Sequence, residues 1–144
     1  GAIFAAAGLE RINLKPENYI DLDWMIPAPA QGAMLVVTKV EDTFCREALA
    51  HLNDKTSQIC VHIEREFLRT LEGGCTAPIG ALAKIEEDQI HFTGVLHGLD
   101  GKDKVAVTKT IKISESEGFC KKCAQEVLNN GGQDLMKKIK AAIN

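Results

Sequence analysis

The sequence predicts an α+β fold, with a three-stranded antiparallel sheet covered by helices in its C-terminal part. Three observations support this class. Apolar residues recur at helical spacing over 57–71, and three short strand-like segments follow at 81–85, 90–96 and 105–113. The third segment alternates apolar and polar residues, so one face of it is expected to be solvated. A short antiparallel meander of this kind packs its other face against helices.

The elements before this region are irregular. Residues 3–9 form an Ala-rich apolar helix pattern without a cap, and the chain has no initiating Met, so we expect a fragment or a processed chain. The two prolines of PAPAQGA, 27–33, hold the backbone extended. The apolar run 34–37 predicts a buried strand. Asp42 is expected to cap a helix with an apolar stripe: Phe44, Ala48, Leu49 and Leu52.

A polar break over 53–57 marks the expected domain boundary. Beyond the sheet, the sequence SESE at 114–117 predicts a capping box that opens a helix running to Asn130. The dipeptide Gly131-Gly132 should end that helix. A last helix is predicted over 134–143, with three lysines near its C-terminal end.

Composition limits the possible functions. The chain has 144 residues, 45% hydrophobic and 26% charged, which is typical of a soluble globular chain with one good core. No apolar run approaches the ~20 residues that a membrane span needs. The net charge of −3 gives no broad basic field for nonspecific nucleic-acid binding. Five cysteines without a disulfide-framework spacing fit a reducing cytoplasm.

Cys75 is the first candidate functional residue. It stands in LEGGCTAPIG, where a helical pattern ends in two glycines and a loop begins. A thiol there could act as a nucleophile, and the glycines would leave space at the sulfur. The competing hypothesis is a buried Cys that behaves as a small hydrophobe. Because a helix C-terminus raises a nearby thiol pKa, a thiolate at this position would need cations close by.

Four segments together resemble the C-terminal half of the porphobilinogen deaminase family, also called hydroxymethylbilane synthase: AAAGLERI, PAPAQGA, EREFLRTLEGGCTAPIG and VLNNGG. The resemblance implies a transferase of tetrapyrrole biosynthesis that condenses four porphobilinogen units into hydroxymethylbilane and releases ammonia. It also implies a dipyrromethane cofactor held by a thioether at Cys75. The alternative is a noncatalytic α+β ligand-binding or interaction domain with a loop thiol.

The resemblance implies three further cofactor-binding residues. Arg11 matches an arginine that binds acetate and propionate side chains, as a guanidinium fork suits a carboxylate. Gln31 and Gly32 match positions that approach the cofactor. From the residues alone, a surface arginine on a helix is the favoured interpretation of Arg11, and the Gln31–Gly32 segment could equally be a simple linker turn. Ala30 stands where the family commonly has Gly, and Ala adopts a positive φ only at a cost.

The resemblance also implies how the chain divides. Residues 1–28 match the end of the second family domain, 29–54 the returning strand and helix of the first, and 55–144 the C-terminal domain that anchors the cofactor. The catalytic aspartate of the family lies in N-terminal segments without a counterpart here, so we assign no catalytic residue. We expect this chain alone to be inactive. Its expected partners are porphobilinogen, the growing polypyrrole chain and the missing N-terminal domains, with no nucleic acid and no membrane.

Other polar residues are given ordinary roles. Arg65 and Arg69 lie four residues apart among glutamates, which favours a solvated, ion-paired helix face. Cys120 and Cys123 form a CxxC inside an amphipathic helix. Because structural zinc needs four ligands, no metal site is predicted there. The four histidines share no motif: His51, His62, His91 and His97.

Overall fold

The structure, a computed structural model, describes residues 1–72 and 77–143. Its regular elements, in chain order, are α1 (Ala6–Arg11), α2 (Thr43–Ala50), α3 (Lys55–Thr70), β1 (Ile79–Glu86), β2 (Gln89–His97), β3 (Lys104–Lys112), α4 (Phe119–Val127) and α5 (Gln133–Ile143). We refer to the part from α3 to α5 as the C-terminal unit.

The three strands form one antiparallel sheet in the order β1-β2-β3, which confirms the predicted meander. Ala81, Gly94 and Val107 lie side by side across the three strands, on the face that points into the core. The opposite face carries polar side chains, including the neighbouring Thr93 and Thr108. The period of two in each strand therefore separates a buried face from a largely polar one.

The core lies between the sheet and the helices α3 and α4. Phe67 of α3 is fully buried beneath Gly94, and its ring meets that of Phe92 edge to face, with centroids 5.2 Å apart. Phe119 of α4 continues the aromatic contact, with 5.8 Å between the Phe92 and Phe119 centroids. The absence of a side chain at Gly94 makes the space that the Phe67 ring fills. This interlocking fixes α3 against the middle of the sheet.

Two aspartates cap helices: Asp42, as predicted, and Asp54, for which no prediction was made. The Asp42 carboxylate accepts the Cys45 N–H at 2.9 Å, and the Asp54 carboxylate accepts the Ser57 N–H at 2.6 Å. Each bond satisfies one amide that a helix start leaves without a partner. These amides also lower the pKa of both aspartates, since they favour the charged form.

The capping box predicted over 114–117 is wrong. A short 3₁₀ turn occupies Ile113–Glu115, and its Glu115 carboxylate accepts the Lys112 N–H at 3.2 Å. The helix α4 begins only at Phe119, after Gly118 with φ of +66°. The SESE segment thus closes the turn that leaves β3, and a glycine in the left-handed region redirects the chain into α4.

The predicted break between the last two helices is confirmed. The backbone leaves the helical region at Asn130 and Gly131, and Gly131 has φ of +102°. A side chain at the next residue, Gly132, would collide with the carbonyl of Val127. The two glycines therefore allow the backbone to turn between α4 and α5, with Gly132 against the carbonyl of Val127.

The strand predicted over 34–37 is not formed. These residues lie outside the sheet and are exposed, Met34 at 99% of its surface. A strand needs neighbours for its backbone amides and carbonyls, and the described residues provide none for this segment. The stripe of α2 is likewise only partly covered, since Phe44 and Leu52 are exposed. Among the residues that the structure describes, the buried apolar ones all fall between Ile63 and Ile139.

Candidate functional site

Cys75 lies outside the residues that the structure describes, but both flanks of its segment are placed. On one side, Leu71 at the end of α3 is buried in the core, and Glu72 follows with φ of +52°. On the other side, Ala77 leads into β1, and its carbonyl accepts the Ile79 N–H at 2.8 Å. The segment that carries the thiol therefore starts and ends at fixed points of the C-terminal unit.

An ion pair holds the first of these flanks. The Lys140 ammonium of α5 donates to the Glu72 carboxylate at 2.9 Å. This bond lowers the pKa of Glu72 from its ordinary value of 4.5. Both side chains are exposed, so the pair contributes little to global stability. Its effect is local, because it links the last helix to the residue just before the LEGGC glycines.

Replacing Lys140 by methionine is expected to raise the pKa of Glu72 toward 4.5, because the charged form loses its donor. The pair stabilises the folded state above pH 4.5, and this contribution is lost as the pH falls through the lower folded pKa. An NMR titration of the Glu72 carboxyl carbon measures the shift. Lys137→Met is the matched control because Lys137 pairs with Asp134. The titration midpoint of Glu72 in this variant should equal that in the unsubstituted protein. An unchanged Glu72 midpoint in Lys140→Met would contradict the contact.

The PAPAQGA segment forms two successive turns. The Gln31 N–H donates to the Ala28 carbonyl at 3.0 Å, and the Ala33 N–H donates to the Ala30 carbonyl at 3.2 Å. Ala30 has φ of +62° and Gly32 has φ of +81°. Ala30 thus adopts the left-handed conformation that glycine would take more easily, at a cost of roughly 1–2 kcal/mol. Gly32 faces open space, with nothing within 4 Å of where a Cβ would be.

The strained turn is held by a buried carboxylate. Glu64 of α3 is only 6% exposed, and its two oxygens accept the Ala30 N–H at 2.7 Å and the Ala83 N–H at 2.8 Å. One side chain therefore connects the turn, helix α3 and strand β1. Hydrogen bonds to a charged acceptor are stronger than neutral ones, which offsets part of the cost at Ala30.

Glu64 is the residue that sequence reasoning misses, because it is one of the glutamates around Arg65 and Arg69, a grouping that favours a solvated helix face. Its spacing was the available signal, because Glu64 lies three residues before Phe67 and four after Cys60, on the core-facing stripe of α3. A glutamate on an apolar stripe is rarely buried unless a polar partner meets it. Those partners are backbone amides from distant parts of the chain, and sequence patterns do not reveal them.

A second contact docks the same segment on β1. The Ala81 N–H donates to the Pro27 carbonyl at 2.9 Å. The carbonyl oxygen of Ile26 lies 2.9 Å from the position that a Cβ on Gly80 would take, so the segment approaches β1 closely. The outward-facing amides of the edge strand β1 are thus covered by Pro27 and Glu64. This contact protects the sheet edge. It also holds the turn that contains Gln31 and Gly32 against the C-terminal unit.

Arg11 is placed apart from this turn. It is the last residue of α1 and is exposed. Within residues 1–72 and 77–143, its guanidinium makes no hydrogen bond or ion pair, and no hydrogen bond links α1 to the turn. Gln31 and Gly32 are also exposed. The described contacts therefore do not assemble the predicted residues, but they leave a cation and an open turn available to a ligand.

The CxxC of α4 belongs to the core. Cys120 and Cys123 are buried, and their burial raises the pKa of both thiols, that of Cys123 to about 11. Neither thiol is therefore a ready nucleophile. Among the described residues, no group of three or more His, Cys, Asp or Glu side chains is arranged to hold a metal. In the same part of the chain, no helix is both long and apolar enough to cross a membrane.

Two family models match the two parts of this chain. The model described as "Porphobilinogen deaminase, C-terminal domain" matches residues 58–129, and "Porphobilinogen deaminase, dipyromethane cofactor binding domain" matches residues 1–47. Together, the two matches describe part of a cofactor-binding domain joined to a C-terminal α+β domain. The chain belongs to the porphobilinogen deaminase family. The family, its α+β C-terminal domain and its dipyrromethane cofactor are as the sequence resemblance implied.

Relatives named porphobilinogen deaminase cover nearly the whole chain. That of Carboxydothermus hydrogenoformans is 34% identical over 100% of this chain and 47% of the relative. That of Campylobacter jejuni subsp. doylei is 39% identical over 98% of the chain and 47% of the relative. That of Thermus thermophilus is 36% identical over 97% of the chain and 48% of the relative. The chain spans about half the length of these relatives and corresponds to a C-terminal portion.

Proposed function

We propose that this chain is the C-terminal portion of an enzyme that condenses four porphobilinogen units into hydroxymethylbilane, and that it carries the dipyrromethane primer on Cys75. The docking of the 27–33 turn through Glu64 is the observation that supports this most directly. It joins the part of the chain that matches the cofactor-binding model to the unit that contains the LEGGC segment. A primer on Cys75 and residues of the turn would then belong to one rigid frame.

The proposed role of Cys75 is that of an anchor. Loss of ammonia from a porphobilinogen-type unit breaks a C–N bond and leaves an electron-poor exocyclic methylene. The thiolate of Cys75 attacks that carbon and forms a C–S bond, while the thiol proton leaves with the amine. A thioether formed in this way keeps the growing chain on the enzyme. The bound primer supplies the pyrrole carbon to which the next unit is joined.

The residues outside LEGGC fit a ligand rich in carboxylates. Arg11 presents an exposed guanidinium that can grip an acetate or propionate group with two parallel hydrogen bonds. Gly32, with its positive φ and open surroundings, lets a planar ring approach the backbone, and the Gln31 amide can donate or accept beside it. We propose these three residues as binding residues. No catalytic residue is assigned to this chain.

The family membership supports a division of the chain into three parts. We propose that 1–28 ends the second family domain, that 29–54 returns to the first, and that 55–144 is the C-terminal domain. The exposed apolar residues before 53 and the buried core after 62 agree with this division. We propose porphobilinogen, the growing polypyrrole and the N-terminal domains as partners, in the cytoplasm, with neither nucleic acid nor membrane involved.

Intact mass of the full-length protein tests the anchor. We expect the mass of two pyrrole units on the protein, located on the peptide of Cys75, and lost in Cys75→Ser. Cys45→Ser is the matched control, since Cys45 is a partly exposed free thiol remote from LEGGC in sequence, and it should keep the added mass. An active full-length enzyme with an unmodified Cys75 would refute the anchor. The chain of 144 residues alone is expected to form no hydroxymethylbilane.

A further inference from the structure

The two edges of the sheet differ in what covers them. At β1, the Pro27 carbonyl and the Glu64 carboxylate accept hydrogen bonds from outward-facing amides. The opposite edge, β3, runs for nine residues and pairs with β2 in one continuous register without a bulge. It contains no proline. Short length, a bulge or a proline usually prevents an additional strand from pairing at an edge, and β3 has none of these features.

The hydrogen bonds at the end of β3 show which of its backbone groups face away from β2. The Lys112 N–H donates to the Glu115 carboxylate, outside the sheet, whereas the next amide, that of Ile113, donates to the Asp88 carbonyl just before β2. The direction alternates along an antiparallel strand. The outward groups in the middle of β3 therefore belong to the residues with even numbers: Ala106, Thr108 and Thr110. Among the described residues, no group outside the sheet is hydrogen-bonded to their amides or carbonyls.

The side chains of these same residues leave the edge accessible, because all three are small and exposed. Lys104 and Lys112 stand at the two ends of the same face, also exposed, and β3 contains no acidic residue. On the other face, Val105 and Ile111 are only half-buried. An added strand with apolar side chains at the facing positions would cover them. The edge is thus complementary to a strand that is acidic at its ends and apolar at alternate positions.

We propose that β3 binds an extended acidic segment of another protein as a fourth, antiparallel strand of the sheet. This goes beyond the proposed function and does not involve Cys75. The backbone ladder would supply binding for any extended segment, while the two lysines would select an acidic one.

A second copy of this chain is a poorer partner for β3. A two-fold pairing that uses the whole strand is centred on Thr108 and places Lys104 opposite Lys112 of the partner subunit at both ends. Like charges directly opposite each other destabilise a pair of strands. Lysines at an edge commonly prevent pairing between like strands in this way, and the same charges favour an acidic strand.

A synthetic peptide tests the proposal on the full chain of 144 residues. The probe is Glu-Val-Thr-Gln-Thr-Val-Thr-Ile-Glu with blocked ends, which opposes β3 from Lys112 to Lys104 when it is antiparallel. In an NMR titration we expect shifts concentrated on β3. Amide exchange at Ala106, Thr108 and Thr110 should slow by about ten-fold or more, because paired amides exchange more slowly than open ones.

Two altered peptides separate the contributions of charge and backbone. Lysine in place of both glutamates should weaken binding by about ten-fold or more, because like charges then face each other. N-methylation of the three threonines removes the amide hydrogens that face β3 and should weaken binding at least as much. If the lysine peptide binds as tightly as the probe, or if β3 shows no shift at about 1 mM probe, the proposal is overturned.

Substitutions in the chain show whether β3 makes the contact. Thr108→Pro removes an amide that faces away from β2, so the sheet should stay folded while probe binding falls by about ten-fold or more. Thr108→Val keeps the amide and should bind within about two-fold of the unsubstituted chain. Probe binding that survives Thr108→Pro would contradict the proposal. A dimer of the chain alone that Thr108→Pro abolishes would overturn it in favour of a second copy.

A charge exchange confirms the selectivity without relying on stability. The double substitution Lys104→Glu with Lys112→Glu should reverse the preference, so that the lysine peptide binds more tightly than the probe. Lys55→Glu is the control, since Lys55 begins α3, the helix that packs against β1, and it should keep the original preference. An unchanged preference in the double variant would overturn the role of the two lysines.

Discussion

Glu64→Ala is expected to have the largest effect on the candidate site. The substitution removes the shared acceptor of the Ala30 and Ala83 amides. The Ala83 amide then stays at the edge of β1 without a partner, which costs roughly 1–3 kcal/mol. The Ala30 amide can regain water only if the 27–33 turn leaves its position. We therefore expect a lower free energy of unfolding together with release of the turn.

Urea unfolding and amide hydrogen exchange separate these two effects. Exchange at Ala30 should accelerate more than exchange in the interior of β2, because the turn opens without global unfolding. Glu64→Gln should give a smaller loss, since one amide oxygen can still accept while the NH₂ group opposes the second donor. The matched control is Glu66→Gln on the same helix, where the pair with Lys121 is long at 3.8 Å. If Glu64→Ala unfolds at the same urea concentration as Glu66→Gln, the proposed stabilising role of the Glu64 carboxylate is wrong.

Gly94→Ala is expected to destabilise the core by about 1–3 kcal/mol, the usual cost of overpacking. Its Cβ would lie 2.5 Å from Cζ of Phe67, and that ring is fully buried. The substitution should lower the urea midpoint while the dependence on urea concentration stays unchanged. Gly8→Ala is the control, because nothing lies within 4 Å of its Cβ position.

A double substitution identifies the cause. Phe67→Leu shortens the side chain beneath Gly94, so the pair Gly94→Ala with Phe67→Leu should lose less than the sum of the single losses. Strictly additive losses would mean that Gly94 matters through strand conformation and not through the ring of Phe67.

The proposed function gives Glu64 a purpose beyond stability. The Glu64 carboxylate fixes the turn that carries Gln31 and Gly32 to the C-terminal unit. The same unit contains both flanks of the LEGGC segment. Lys140 of α5 donates to Glu72, the residue just before the two glycines of LEGGC. Two polar contacts thus fix the frame around the proposed anchor, and neither involves a residue proposed to touch the cofactor. We expect such contacts to affect how efficiently the primer is assembled on Cys75.

The elements with local causes could be predicted from the sequence. The aspartate caps at Asp42 and Asp54 act within three residues, and the strands β1 to β3 follow from alternation and short turns. The SESE prediction failed although it also used a local rule, because Glu115 bonds back to the end of β3 and Gly118 sets the helix start. Where a local pattern supports two hydrogen-bonding schemes, the neighbouring strand determines which of them forms.

The sequence by itself determined the family, the α+β class and the candidate residues Cys75, Arg11, Gln31 and Gly32. Motifs and periodicity depend only on residues that are close together in the sequence, so they can be recognised without the fold. Only the tertiary structure identified the role of Glu64 and left 34–37 unpaired. Both depend on partners far away in the chain or outside it. A carboxylate is stable in a core only where amides meet it, and an apolar strand is stable only where neighbours pair with it. Such partners are a property of the assembled fold.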